Sequence, residues 1–166
     1  MTRECRQADA EDFPAIRRML ELYQYELSDI WDQDLDPLGE YGYELEKHQK
    51  AERFFAHVML VGQHYAGFAL VGPASVTQRE GCWMEQFFVL KKYRRSGHGE
   101  ALAVHVVRSH PGAWEIGQMH ANAPARAFWL RVVSRLTAGQ FSEVQVTEGW
   151  WHGTVQRFRL EAPHER

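Results

Sequence analysis

Residues 87–102 read FFVLKKYRRSGHGEAL and combine the end of an apolar run, a basic turn and the start of a second apolar segment. The first apolar run, residues 82–90, predicts a buried strand. A basic turn with two glycines follows, and apolar periodicity then predicts a helix from about Gly99 to His110, which Pro111 ends. The chain therefore passes from a strand through a short turn directly into a helix.

This turn has the chemistry of an anion site. A helix start presents unpaired N–H groups and a partial positive charge. Gly97 and Gly99 let the backbone approach a ligand closely, while Arg94 and Arg95 add charged donors. Such a turn can bind a diphosphate. The same residues are also compatible with an ordinary helix start whose arginines are solvated and bind no ligand. A dinucleotide-binding fingerprint is excluded, because Leu102 stands where its third glycine is needed.

Turn signals and hydrophobic periodicity predict the element order β-α-α-β-β-β-α-β-α-β-β for the whole chain. The strands fall at residues 3–8, 54–61, 65–71, 82–90, 114–119, 141–146 and 154–160, and the helices at 13–27, 43–50, 99–110 and from 124 onward. We expect an α+β (mixed α/β) fold in which about four helices flank a central mixed β-sheet. The length predicts one domain over residues 1–166.

Composition and charge exclude several classes of protein. A net charge of −3 and a pI near 6.3 lack the basic excess of nucleic-acid-binding domains. No apolar run reaches the roughly 18 residues that span a bilayer, and no apolar signal peptide begins the chain. Cys5 and Cys82 are too few for a disulfide scaffold or a four-ligand zinc site. We expect a cytoplasmic monomer or homodimer with no metal, nucleic-acid or membrane partner.

The glycine turn is also similar to a known cofactor-binding motif. Arg94-x-x-Gly97-x-Gly99 resembles the acyl-CoA-binding motif Q/R-x-x-G-x-G/A of the GCN5-related N-acetyltransferase (GNAT) superfamily. Val89 stands where the family ends its central strand, and Asn122-Ala123-Pro124-Ala125 matches the family's N-x-x-A motif. The element order matches too, with the region before residue 52 similar only in outline. The resemblance implies a GNAT-like fold and an acetyl-CoA-dependent N-acetyltransferase.

The resemblance implies which residues hold acetyl-CoA (coenzyme A), the expected co-substrate. In that family, backbone groups of the central strand bond the pantetheine arm and the glycine turn holds the pyrophosphate. By position, the implied cofactor-binding residues are Phe87, Phe88, Val89, Arg94, Arg95, Ser96, Gly97, His98, Gly99 and Asn122. Asn122 suits a helix N-cap equally well, and the two roles are compatible.

Amine acetylation requires a neutral amine, so a nearby carboxylate or imidazole has to take a proton. Glu85 is the first candidate for this catalytic base, because it lies in the apolar run four residues before Val89. Several members of the family place a glutamate base on this strand. A solvent-facing position on the sheet is the alternative for Glu85. His120 is the second candidate, since it ends the strand that leads to Asn122.

One feature of the family is missing. Many relatives have a tyrosine four residues after the alanine of N-x-x-A, where its hydroxyl protonates the departing thiolate, and here that position holds Trp129. Trp129 fits the hydrophobic core, so the proton would come from water or from another group such as Tyr93. Because no residue is assigned as the acid that protonates the thiolate, two alternatives without transfer activity remain. They are an acyl-CoA-binding sensor and a protein-interaction module.

One segment bears on the acceptor. Residues 19–46 contain no lysine or arginine, and in the GNAT family this segment overlies the acceptor cleft, so it would attract a positively charged amine. A solvated acidic face explains the same composition. The expected acceptor is a primary amine of a small molecule or a peptide. The segment holds nine of the chain's 22 acidic residues: Glu21, Glu26, Asp29, Asp32, Asp34, Asp36, Glu40, Glu44 and Glu46.

Overall fold

A computed structural model describes residues 1–163, so the last three residues of the expected domain lie outside the described residues. The elements follow one another in the predicted order. The strands are β1 (Arg3–Gln7), β2 (Phe55–Val61), β3 (His64–Pro73), β4 (Cys82–Val89), β5 (Gly112–Gln118), β6 (Ser142–Val146) and β7 (Gly153–Leu160). The helices are α1 (Phe13–Leu27), α2 (Glu46–Lys50), α3 (His98–Ser109) and α4 (Ala123–Thr137).

The strands are hydrogen-bonded neighbours in the order β1-β2-β3-β4-β5-β7-β6. β1 pairs with β2, and β7 with both β5 and β6, in antiparallel ladders, whereas β4 and β5 are parallel. A parallel pair needs a crossover connection, and α3 supplies it between β4 and β5. The predicted α+β class, with a mixed sheet and four helices within residues 1–163, is confirmed.

The chain divides into two compact units. The first contains Met1–Leu70 and Gln86–Leu102, and the second contains Val71–Glu85 and the residues from Ala103 onward. β3, β4 and α3 each continue from one unit into the other. The expected single domain stays a prediction.

In the first unit, the apolar face of α1 forms part of the hydrophobic core. Phe13, Ile16 and Leu20 recur at helical spacing and are at most 7% exposed. They belong to one cluster with Phe68 of β3 and Phe88 of β4. Burial of each such side chain contributes roughly 1.5–3 kcal/mol, so this face holds α1 in place. The predicted amphipathic helix is confirmed.

A buried carboxylate anchors the start of α1. Asp12 is 2% exposed and accepts two hydrogen bonds from Arg6, at 2.6 and 3.0 Å. It accepts two more at 2.7 Å, from the Tyr65 hydroxyl and the Asp9 amide. The hydrogen-bonded Arg6 guanidinium is the main cause that lowers the pKa of Asp12 to about 2. The ionised carboxylate thus joins β1 and β3 to α1.

The second helix is shorter than predicted, because it begins at Glu46 and not at Tyr43. Gly42 has a φ of +77°, and the Tyr43 hydroxyl donates a hydrogen bond to Gln33 Oε1 at 3.1 Å. This contact holds the chain in a loop up to α2. Local periodicity does not reveal it, since ten residues separate Gln33 from Tyr43.

In the second unit, α4 buries Trp129, Val132 and Val133, each at most 5% exposed, and the core role expected for Trp129 is confirmed. On β5, Glu115 is fully buried. Its carboxylate accepts hydrogen bonds at 2.7–2.8 Å from the amides of residues 75–77 and from a threonine hydroxyl in that loop. These bonds fix the loop that connects β3 with β4.

Candidate active site

The predicted phosphate-binding turn lies in the first unit, between the end of β4 and the start of α3. Arg95 and Gly97 adopt left-handed backbone conformations, with φ of +65° and +77°. Such conformations direct successive N–H groups into an anion-binding concavity. A Cβ atom at Gly97 would meet nothing within 4 Å, so space above this glycine is open.

The first residue of α3 adds an unpaired polar atom to the turn. Nδ1 of His98 is buried and has no hydrogen-bond partner among residues 1–163. The His98 ring lies edge-on to Tyr93, with centroids 6.2 Å apart. The first turn of a helix also has N–H groups without intrahelical partners. Together with the open space at Gly97, these donors fit a diphosphate.

Arg94, the first residue of the motif, is held by groups of the protein. Its Nε donates to the Val89 carbonyl oxygen at 2.7 Å, and its terminal nitrogens donate to the Glu26 carboxylate at 2.8 and 2.6 Å. Its guanidinium lies 5.5 Å from the centroid of the Phe88 ring. The Arg94 hydrogen bonds lower the pKa of Glu26. Arg94 therefore ties the turn to β4 and α1, although it is exposed like its neighbour Arg95.

Two further residues support this turn and escape sequence reasoning. Tyr23 on α1 contacts Phe88, with ring centroids 5.4 Å apart, and burial raises the pKa of its hydroxyl to about 12. At Gly67 on β3, a Cβ atom would lie 2.5 Å from the Phe88 carbonyl oxygen. A glycine inside an apolar strand signals a close backbone approach, so Gly67 carried a readable signal. Helical spacing predicts Tyr23 on the apolar face of α1, but it does not reveal Phe88 as its partner.

The first unit thus holds the implied cofactor-binding residues from Phe87 to Gly99, and the second unit holds the other candidates. Glu85 is half-buried on β4, and His120 is exposed in the turn after β5. Asn122 caps α4, since its Oδ1 accepts a hydrogen bond from the Ala125 amide at 3.3 Å. A backbone hydrogen bond of Asn122 to Met119 closes the turn that carries His120.

The ladder between β4 and β5 is short. It pairs Cys82 with Trp114 and Trp83 with Glu115. Glu85 therefore lies two residues beyond the last pair of this parallel ladder.

Comparison with known proteins decides the family. Residues 15–133, more than half of the chain, match the model of the Acetyltransferase (GNAT) family. The chain belongs to this family. The matched range includes β4, the glycine turn and Asn122. No curated protein is significantly similar in sequence.

Solved structures share the fold of this GNAT protein, and at their low sequence identities the similarity shows the fold alone. The ribosomal-protein-S18-alanine N-acetyltransferase of Escherichia coli aligns over 99% of this chain and 97% of its own, with a TM-score of 0.65 and 14% identity. The PaiA N-acetyltransferase of Thermoplasma acidophilum, in complex with coenzyme A, aligns over 96% and 99%, with a TM-score of 0.64 and 11% identity. NAA60 of Arabidopsis thaliana, in complex with a bisubstrate analogue, aligns over 95% and 96%, with a TM-score of 0.60 and 16% identity.

No three His, Cys, Asp or Glu side chains in residues 1–163 are grouped as metal ligands. Within the same range, each helix is too short or too polar to cross a membrane. Cys5 and Cys82 are half-buried, and neither forms a disulfide within residues 1–163.

Some carboxylates of the acidic segment, residues 19–46, accept hydrogen bonds from backbone amides of the same segment and so stabilise its loop. The Glu21 carboxylate accepts hydrogen bonds from the amides of Tyr41 and Gly42, at 2.8 and 3.3 Å. Asp36 Oδ1 accepts two more from backbone amides, at 2.8 and 2.9 Å. Five of the nine acids have partners in the first unit: Glu21, Glu26, Asp36, Glu40 and Glu46. Asp29, Asp32 and Asp34 are exposed to solvent.

Three tryptophans in the second unit form a cluster, which we name the Trp cluster: Trp83, Trp150 and Trp151. The Trp83 ring lies edge to face with Trp151 at 5.3 Å and with Trp150 at 6.3 Å between centroids. Gly117 and Gly153 make room for it, because a Cβ atom at either would come within 2.6 Å of the Trp151 ring. Trp83 is 5% exposed, whereas Trp150 is 61% exposed.

Proposed function

We propose that this GNAT protein is an acetyl-CoA-dependent N-acetyltransferase that acetylates a primary amine. The observation that carries the proposal is the open, left-handed turn at Arg95 and Gly97, directly before α3, in a chain of the acetyltransferase family. Structures with this fold contain coenzyme A or a bisubstrate analogue, which supports the choice of donor.

The donor would be held mainly by backbone groups. N–H groups from Arg95 to Gly99 would bind its pyrophosphate, with His98 Nδ1 as a further partner. The backbone of residues 87–89 would bind the pantetheine arm, and the contact expected for Asn122 stays a prediction. Arg94 would act by positioning the turn, since its guanidinium bonds Val89 and Glu26. When bound, acetyl-CoA supplies the acetyl group as a thioester.

Glu85 would act as the general base of the transfer, with His120 as the second candidate. The carboxylate would take the proton that the amine nitrogen loses as that nitrogen bonds the acetyl carbon and the carbon–sulfur bond breaks. The departing thiolate would receive a proton from water, because the buried Trp129 has no acidic hydroxyl to offer. Tyr93, the other group considered, lies against His98 at the pyrophosphate end of the site.

Substitution of Glu85 tests its proposed role as the base. Glu85→Gln should lower kcat roughly 100- to 10,000-fold, the loss typical of a missing general base, with acetyl-CoA affinity nearly intact. The defect should shrink at high pH, where the free amine is already neutral. Thiol release with a panel of primary amines measures turnover, and calorimetry measures acetyl-CoA binding.

Glu80→Gln is the matched control, because Glu80 is exposed in the loop before β4. Equal turnover of the Glu85 variant and wild type at neutral pH would remove Glu85 as the base, and His120→Gln would then be tested.

The position of Trp129 favours one other function, an acyl-CoA-binding sensor. Tight acetyl-CoA binding without acetylation of any amine or peptide would support the sensor function and contradict the proposed acetyltransferase function.

A further inference from the structure

We propose that the Trp cluster binds a second, non-reacting cationic group of the acceptor, so that the preferred acceptor is a diamine or a larger polycationic amine. The inference rests on the proposed function, because it specifies the substrate class of the same enzyme. It follows from the exposure of the Trp150 indole, from the negative charge of the segments that form the Trp cluster, and from the need for the reacting amine to be neutral.

The cluster presents a fixed aromatic surface. Trp150 is 61% exposed, yet its ring is braced edge to face against Trp83, which is 5% exposed. Trp151 in turn packs on the backbone at Gly117 and Gly153. An indole face is the best aromatic surface for an organic cation, and a surface that is already rigid loses little conformational entropy on binding.

The segments that supply the cluster are acidic. Residues 80–90, 112–118 and 141–156 contain five acids and neither lysine nor arginine. Two of these acids have other tasks, since Glu115 holds the loop after β3 and Glu143 pairs with Arg126 at 2.5 Å. The charge of these segments therefore favours a cation over a neutral or anionic ligand on the indoles.

The cluster is close to the candidate base along the chain. Trp83 and Glu85 are two residues apart on β4, which is about 7 Å in an extended strand, and alternate residues of a strand share a face. The amine that reacts must be neutral when it attacks, so it cannot be the cation that the indoles hold. A substrate with two amines, a few methylene groups apart, satisfies both requirements.

Binding of a cation can be tested without turnover. Choline is the probe, and 3,3-dimethyl-1-butanol is its neutral isostere of the same shape. In NMR titrations, choline should shift the indole Nε1–H signals of the Trp cluster at lower concentration than the isostere does. Trp150→Phe should keep this preference, because a ring face remains, and Trp150→Leu should abolish it, because only apolar bulk remains.

The kinetic test compares 1,5-diaminopentane with pentylamine, which differ only in the second ammonium group. The ratio of their kcat/KM values should favour the diamine about 5- to 30-fold in wild type, and Trp150→Leu should bring the ratio close to one. A ratio that Trp150→Leu leaves unchanged, or choline and isostere binding alike, would overturn the proposal while acetylation still supports the enzyme. Choline binding with no acetylation of any amine would instead defeat the proposed function and uphold the cation site.

Discussion

Asp12 shows how a single buried residue secures the start of α1. Four hydrogen bonds converge on its carboxylate, and its pKa is about 2, below the ordinary value of 3.8. Because the pKa is lower in the folded protein, its contribution to stability is present above about pH 4 and is lost as the pH falls through 2. Asp12→Asn should therefore cost about 2 kcal/mol of unfolding free energy at neutral pH.

Urea unfolding at neutral pH and at about pH 3 measures this effect, and the gap between wild type and Asp12→Asn should narrow at the lower pH. Asp29→Asn is the control, since it removes one exposed carboxylate that lies outside the cluster around Asp12. A gap that stays constant across this pH range would show that the charge of Asp12 does not stabilise the fold.

At the scale of elements, the junction from β4 to α3 depends on backbone conformation at Gly97. Gly97→Asp would place a side chain in the open space and a negative charge at the helix start. We expect coenzyme A affinity to fall at least about tenfold, which is 1.4 kcal/mol of binding free energy. Calorimetric titration with coenzyme A measures the loss.

Gly39→Asp is a closely matched control for this junction. Gly39 has a φ of +76°, against +77° for Gly97, and a Cβ atom there would also meet nothing within 4 Å. Both variants therefore carry the same backbone strain and the same added charge. If both lose coenzyme A affinity equally, or neither does, the turn is not the pyrophosphate site.

At the scale of the whole molecule, the distribution of charge should set the preference for acceptors. The net charge is only −3, but residues 19–46 hold nine acids and no basic residue. Replacing Asp29, Asp32 and Asp34 by asparagine should raise KM for a cationic amine and flatten its dependence on ionic strength, with little change in KM for acetyl-CoA. The interaction of exposed charges extends only about 8 Å at physiological salt, so it weakens as the ionic strength rises and affects only ligands that bind nearby.

The control variant replaces three exposed glutamates outside this segment by glutamine: Glu11, Glu52 and Glu161. Both triple variants alter net charge equally, so a difference between them isolates the position of the charge. Steady-state kinetics across a series of salt concentrations provide the comparison. Identical kinetics in the two variants would show that the acidic segment is a solvated face of the protein.

Local sequence patterns determined the element order and the two helix starts that matter for function. Apolar spacing of three and four residues specified α1 and α4, because buried residues of a helix repeat at that spacing. Asn122 three residues before Ala125 specified the cap of α4, since that spacing brings Oδ1 to the amide. The glycine turn was equally readable, because left-handed backbone at Gly97 is a local property of the chain.

Only the tertiary structure decided what those residues contact. Glu26 and Arg94 are 68 residues apart, and their ion pair makes Arg94 a support of the turn. The Trp cluster combines segments near residues 83, 117 and 151, and Glu115 holds a loop 38 to 40 residues earlier. Such contacts depend on which strands are neighbours and how side chains pack between them. Periodicity and turn chemistry describe one segment at a time and therefore contain no information on these partners.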